Sequence, residues 1–476
     1  MPPNNVASTR GTHNAVAISR QRHKKREEIE RRRKVKLLVA LMCTVIAFTV
    51  AACLDASVPM PMHTSILTGQ LWLDELLSGH PDRFRDQLGM AKQVFHRLSF
   101  ELQAYSGLVS TKYVTSDEKL ATFLHFARTG CNTRMLQERF QRSADTIHRY
   151  EIQRQLVMLK IFTQFRSIYT ILRMLVGPFY KKYLHLPPDE TPPEIKGNSK
   201  LYPYFRNCRG AIDGSHFHAW VLSECMARYR NRKGFIGQNV LAACNFSMLF
   251  VYILSGWEGS ASDSLIYHYA RERDFAVPAG KYYLADAGFP LCDALLTPYR
   301  AVRYHLKEWG TVRQRYVSDF EKLILLTSKN SRPKTPEELF NLRHSQARNV
   351  VERIFGVVKH RWSMFTRAPE YPIETQAMMI AAVGALHNFV KIHDDSDNAD
   401  DLDGDDEGRT GQPEGSRSLG DFIETEPREV STEELGIPHI SDEEKARASA
   451  RRDRIAKKMW EDYVAWLAAR GEVPNA

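Results

Sequence analysis

Four prolines and a glycine crowd into residues 187–200 (PPDETPPEIKGNSK), and the pattern of the chain differs on either side. Proline fixes φ and lacks an N–H, so such a run interrupts helices and strands alike. Before it, apolar residues recur at helical spacing. After it, they gather into short β-branched runs. The segment reads as a linker between a helical N-terminal domain (63–186) and a second domain that begins near Leu201. Strands followed by a long helix make that second domain α/β or α+β.

On the N-terminal side, Thr68 and Ser116 read as helix N-caps. Leu120, Phe123, Leu124 and Ala127 fall at i, i+3, i+4 and i+7, which predicts a helix to about Arg128, ended by Gly130. A second helix is predicted over 133–140, and a third capped by Ser143. Three such helices with a glycine-containing turn follow helix-turn-helix logic, in which Thr146, His148 and Arg149 would face DNA. A plain helical bundle explains the pattern equally well.

The ends of the chain are biased in charge. Overall, 66 Lys and Arg stand against 56 Asp and Glu, a net +10, which suits a polyanionic partner and says nothing of fold. Residues 1–36 hold eleven Lys/Arg against three Glu and read as a disordered basic tail, either a nuclear-import or nucleic-acid-binding arm or simply a solvated one. Residues 37–54 carry no charge. As a helix they are marginally long enough to span a membrane, which would anchor the protein there, or they form a buried or oligomer-forming helix. Residues 394–408 carry nine acids in fifteen positions. They open a segment, 394–440, expected to be disordered. A last helix is predicted over 441–471, with Ser441 and Glu444 as a capping box. The seven cysteines are scattered and form no C-x-x-C pair, which argues against a disulfide scaffold or zinc knuckle and for a reducing compartment.

Three acids stand out by position. Asp213 follows the apolar pair Ala211–Ile212, and Asp286 ends the short strand predicted over Tyr282–Ala285. Glu352 lies in a long helix that starts at Pro336 and runs past Phe355. Each Asp meets a glycine within two residues, which permits close approach of a ligand, and each is read at the C-terminal end of a strand, where α/β domains gather their sites. His344, Arg348 and Glu352 share one stripe of the helix at i, i+4, i+8, either a surface salt-bridge row or part of a site. Three converging carboxylates repel one another unless a cation sits between them, and hard oxygen ligands favour Mg²⁺ or Mn²⁺. Two such ions could clamp the attacking and leaving oxygens of a phosphoryl displacement.

Taken together, several stretches resemble transposases of the PIF/Harbinger superfamily and the harbinger transposase-derived nucleases, with fungal members the closest in look. These are Ala211-Ile-Asp-Gly-Ser-His216, Gly256-Trp-Glu-Gly-Ser-Ala-Ser-Asp263, Tyr282 to Pro290, Pro298-Tyr-Arg-Ala-Val-Arg-Tyr-His-Leu-Lys307, and Glu338 to His344 through Val351-Glu-Arg-Ile-Phe-Gly356. They occur in family order over residues 201–390. The resemblance implies an α/β, ribonuclease-H-like DDE endonuclease domain, a mixed sheet flanked by helices, preceded by an all-α helix-turn-helix-like domain. It implies a catalytic and metal-binding triad of Asp213, Asp286 and Glu352 holding two divalent ions, Mg²⁺ or Mn²⁺. It places His216, Asp263, Asn341, His344 and Arg348 in support, with a purely structural role for His216 equally open.

The implied activity is metal-dependent cleavage of DNA at transposon ends, with joining to target DNA as a further step. The alternative is a domesticated or decayed copy that binds DNA or protein without cutting. A Myb-like DNA-binding partner, a homo-oligomer and a nuclear location are also implied. Residues 151–172 look like an extra segment relative to the family, one that could disturb packing of the helical domain.

Overall fold

In the computed structural model, which describes residues 9–55, 62–143, 146, 167–304, 332–397 and 440–471, the chain divides into two units, 1–64 and 65–476. The first holds a single helix, α1 (Thr9–Asp55). It runs unbroken through the basic stretch and into the apolar run, which corrects the division at residue 36 between a disordered tail and a separate helix; residues 1–8 of that tail lie outside the described residues. The reason is local: Arg, Lys and Glu are good helix formers, and Glu28–Arg32 and Glu30–Lys34 pair one turn apart. Leu37, Leu38, Leu41 and Phe48 stand exposed along it. Among the described residues, no helix is long and apolar enough to cross a membrane.

The second unit begins with five helices: α2 (Gly69–Ser78), α3 (Pro81–Leu88), α4 (Lys92–Ser106), α5 (Ser116–Thr129) and α6 (Thr133–Phe140). Their ends are set by side chains. Thr68 Oγ1 accepts Leu71 N and Asn132 Oδ1 accepts Met135 N. The cap of α5 is Thr115 rather than Ser116, which is itself helical and buried. Gly130 closes α5 at φ +60°. Of the predicted recognition helix, Ser143 Oγ accepts Thr146 N at 3.4 Å, whereas His148 and Arg149 lie outside the described residues. So do residues 151–166, the greater part of the extra segment. Its remainder enters α7 (Ser167–Leu175), where Ile168, Ile171 and Leu172 are fully buried, so that part packs into the core.

After α8 (Pro178–Tyr183) comes the proline-rich stretch. It is pinned rather than loose: Ile195 is buried in a single helical turn, and Asp189 pairs with Arg209 and Lys281. The sheet follows, with strands β1 (Cys208–His218), β2 (Gly237–Cys244), β3 (Phe250–Glu258), β4 (Tyr282–Leu284) and β5 (Leu295–Leu296) in the order 3-2-1-4-5. β1, β2 and β3 form an antiparallel meander, while β4 and β5 run parallel to β1. Between β3 and β4 lies α9 (Asp263–Arg273). Then come α10 (Pro336–Arg361), α11 (Ile373–His393) and α12 (Asp442–Ala468).

Alternation along the strands gives the sheet two apolar faces. Ala211, Val240, Ala242 and Leu284 join the larger core with α10, α11 and the N-terminal helices. Ile212, Leu241, Ala243 and Tyr283 join a smaller one with Ile266 and Tyr267 of α9. The larger core runs without a break from Trp72 to Met459, so the helical region and the sheet share one interior. Polar ties reinforce it. Arg128 Nη1 donates to Arg361 O at 2.7 Å, and Asn388 Nδ2 bridges Tyr183 O and Phe250 O. The acidic segment starts inside this structure: Asp394 pairs with Arg85, and Asp397 with Arg361. Residues 398–439 lie outside the described residues. In α12, Arg447 pairs with Asp293, Arg451 donates to Cys292 O and Asp293 O, and Arg452 donates to Pro298 O. Much of the charge of this helix is therefore spent on the sheet edge. Cys43, Cys131, Cys208, Cys225, Cys244 and Cys292 are free thiols.

Candidate active site

β1 and β4 are parallel neighbours, paired Ala211 with Leu284. Two residues further along each lie Asp213 and Asp286, so the register sets the two carboxylates side by side. Asp213 sits in the body of β1 rather than at its end, which corrects the sequence reading. Asp286 lies just past β4. There it accepts Gly288 N at 2.8 Å, the turn glycine fixing its carboxylate.

Asp263 reaches the site from α9, on the other side of β1. The notch that admits it is Gly214, where a Cβ would lie 1.9 Å from Asp263 Oδ1. Asn239 on β2 fixes the carboxylate, its Nδ2 donating to Asp263 Oδ1 at 2.7 Å and to Ala261 O at 3.0 Å. Burial, chiefly, together with the charges of Asp286 and Asp263, pushes Asp213 up to about 7 against the pull of Arg348. Asp263 is also raised, first by burial and also by Asp286.

α10 packs on β1 and presents the stripe found in the sequence. His344 Nε2 meets Leu296 O at 2.8 Å and must donate there. Its Nδ1 therefore accepts, and faces the Tyr304 hydroxyl at 3.3 Å. That imidazole is neutral, held down to about 3 by burial. The Tyr304 hydroxyl in turn accepts from Arg348 Nε at 2.8 Å. Arg348 Nη1 donates to Asp213 Oδ2 at 2.9 Å, and Nη2 donates to Glu352. Burial opposes the guanidinium charge, but Asp213, Tyr304 and Glu352 hold its pKa up.

The structure thus sets Asp213 beside Asp286 and links Glu352 to Asp213 through Arg348, while Asp263 lies against Gly214 on the opposite strand face, near enough for its charge to act on Asp213. Glu352 itself is exposed. Asn341 acts away from the carboxylates. Its Nδ2 donates to Tyr299 O and Val302 O, and its Oδ1 accepts Tyr299 N, which fastens the 299–303 segment to α10. His216 shares the strand face of Ile212 and Gly214, opposite to that of Asp213. Burial first, then Lys359, Lys233 and Arg232, lower its pKa. Lys359, on α10, donates to Ser215 Oγ and His216 O. Tyr304, Asn239 and Lys359 were not readable as site residues. Tyr304 lies within the 298–307 stretch but nothing in its spacing marks it, and Asn239 sits in an apolar strand.

The donor set is all oxygen and suits a hard divalent cation. Even so, among the described residues no group of three or more His, Cys, Asp or Glu side chains is arranged to hold a metal ion. The guanidinium of Arg348, placed between Asp213 and Glu352, supplies the positive charge in this arrangement.

Comparison with known proteins gives the same domain. Residues 212–388 match the family described as DDE superfamily endonuclease, a span that contains Asp213, Asp263, Asp286 and Glu352. Residues 64–158 match a domain of unknown function, DUF8040. The chain is 23% identical over 219 residues to "Protein ALP1-like" of Arabidopsis thaliana, an alignment that covers 41% of this chain and 46% of that relative. The chain therefore spans about half the length of the curated relative it matches. No solved structure matches. DDE superfamily endonucleases generally use divalent metals. The 3-2-1-4-5 mixed sheet with flanking helices is the ribonuclease-H-like arrangement of a DDE domain, here preceded by a helical region. The second unit of this chain carries a DDE nuclease domain of the PIF/Harbinger type.

Proposed function

We propose that the protein is a metal-dependent DNA endonuclease of the transposase kind, cutting phosphodiester bonds at transposon ends and joining the freed ends to target DNA. The observation that carries this is the register of β1 against β4, which sets Asp213 beside Asp286 while α10 supplies Glu352. Asp213 and Asp286, with Glu352, would hold two divalent ions, Mg²⁺ or Mn²⁺. When bound, these would supply Lewis-acid polarisation of the scissile phosphate and activation of a water or DNA 3′-hydroxyl. The chain's own part is positional. Asn239 holds Asp263, Gly288 N holds Asp286, and the His344–Tyr304 relay holds Arg348. For Glu352 to join the two aspartates, Arg348 has to release it.

DNA is the substrate of this reading, in the nucleus, with a Myb-like protein supplying sequence recognition and a homo-oligomer pairing the two ends. One observation favours a second reading, a catalytically silent derivative: the Arg348 guanidinium pairs with both Asp213 and Glu352 and so stands between two of the expected metal ligands. Nicking of supercoiled plasmid by residues 55–476, with Mg²⁺, Mn²⁺ or EDTA and with or without a Myb-like partner, separates the two. Metal-dependent nicking that disappears in Glu352→Ala establishes the nuclease. Folded protein that never nicks leaves the silent derivative.

A further inference from the structure

The loop between β1 and β2, residues 219–236, folds over the far end of β1, the Phe235 ring lying 6.2 Å from that of His216 and 4.5 Å from that of His218. Ser260 N, just before α9, donates to Arg228 O, and Arg228 pairs with Glu258 at 3.1 Å. The far end of the loop is a tight turn. Arg230 bridges to Ile236, Asn231 is buried with its Oδ1 accepting Lys233 N and Phe235 N, and Gly234 takes φ +87°, a conformation that glycine alone adopts without strain. This geometry turns Asn231 inward and leaves Arg230, Arg232 and Lys233 exposed. Arg232 and Lys233 are near enough for their charges to act on His216, and Arg232 on Asp263. A cationic turn thus stands at the His216 end of β1, beside Asp263 and past Asp213 on the same strand. Those acids repel a polyanion, so a DNA strand brought to them needs cations alongside.

We propose that the turn from Arg230 to Gly234 is a phosphate-contacting rail, which holds the DNA backbone beside the carboxylates. The proposal rests on the DNA-nuclease reading above. The rail is sequence-independent: guanidinium and ammonium groups on an exposed turn contact phosphates and read no base.

The test compares two double variants of equal charge change in the full chain. Arg232→Ala/Lys233→Ala removes two cations from the turn and leaves Arg230, whose Nη1 donates to Gly234 O, to shape it. Lys196→Ala/Lys200→Ala removes two exposed cations near Glu194, which bonds Ser247 at the opposite end of the β1–β2 ladder. Binding to a short fluorescein-labelled DNA duplex is followed by anisotropy in EDTA, across a salt series. Each lost phosphate contact lowers the slope of log affinity against log salt by about 0.9. The turn variant is expected to lose about one to two units of slope and on the order of tenfold or more in affinity, with the Lys196/Lys200 pair close to wild type. An unchanged slope in the turn variant, equal losses in both pairs, or a wild-type chain that binds no DNA at low salt overturns the rail. Because EDTA excludes chemistry, the result is separate from plasmid nicking. A chain that nicks with an unaltered slope in the turn variant loses the rail and keeps the nuclease.

Discussion

Arg348 donates to Asp213 across 2.9 Å, from the same guanidinium that bonds Glu352 one helical turn away. One side chain thus balances two of the three acids expected in the triad. Arg348→Met should lower stability without metal by about 2 kcal/mol, below the usual cost of breaking a buried pair because Glu352 is open to solvent. Mn²⁺ should then raise the melting temperature of the variant more than that of wild type, since no internal cation competes. Calorimetric melting with and without Mn²⁺ checks this. An equal Mn²⁺ effect on both proteins would show that Arg348 does not compete for the site.

Gly214 has a different sensitivity. Its lack of a side chain is what lets Asp263 lie against β1. Gly214→Ala should displace that carboxylate from Asn239, and a shift of ~1 Å among reacting groups lowers a rate on the order of 10²-fold. Circular dichroism should remain close to wild type while metal-dependent nicking drops. Full activity in this variant would remove Asp263 from any account of the site.

In the N-terminal helices, His125 is enclosed by Trp72 and Phe140, its Nδ1 3.3 Å from Gln87 O, and burial holds its pKa down to about 4. The ordinary value is 6.5, so between pH 6.5 and 4 the unfolded chain binds a proton that the folded chain refuses. Stability is therefore complete above pH 6.5 and declines as the pH falls, by up to about 1.4 kcal/mol per pH unit from this group. Urea unfolding at pH 7 and pH 5 should show a smaller decline in His125→Phe. Parallel declines in the two proteins would refute it.

Arg451 satisfies two carbonyls of the 292–293 turn. Arg451→Met removes the donor to Asp293 O and leaves Cys292 O with Leu295 N alone, which should cost about 2 kcal/mol. Urea midpoints measure it, and a midpoint within error of wild type would mean that solvent replaces the side chain.

How much of this was readable from the residues varies with the kind of signal. Periodicity located the helices, since α5 carries Leu120, Phe123, Leu124 and Ala127 on its buried face, and caps such as Ser441 marked where they start. Asp213, Asp286 and Glu352 drew notice from neighbouring glycines and from family motifs, but their grouping depends on strand register, which no local pattern encodes. The pairing of Arg348 with Asp213 was open for the same reason: helix spacing puts Arg348 near Glu352 and says nothing about which strand lies beneath. The 187–200 segment read as free linker because proline content reports backbone freedom, whereas Ile195 and Asp189 make long-range contacts. Residues 1–36 read as disordered from charge alone, although the same residues have high helix propensity.

The last helix closes the sheet edge that the earlier strands leave open, through Arg451 and Arg452 on the carbonyls of 292–298. A ribosome delivers this helix after every strand has emerged, so the acids are all synthesised while one edge of their sheet still lacks its cover. The core is then completed only once residues 441–468 have emerged, and a message cut short before residue 441 would yield a chain with Asp213, Asp286 and Glu352 in place and an unsealed interior, a substrate for chaperones and proteases.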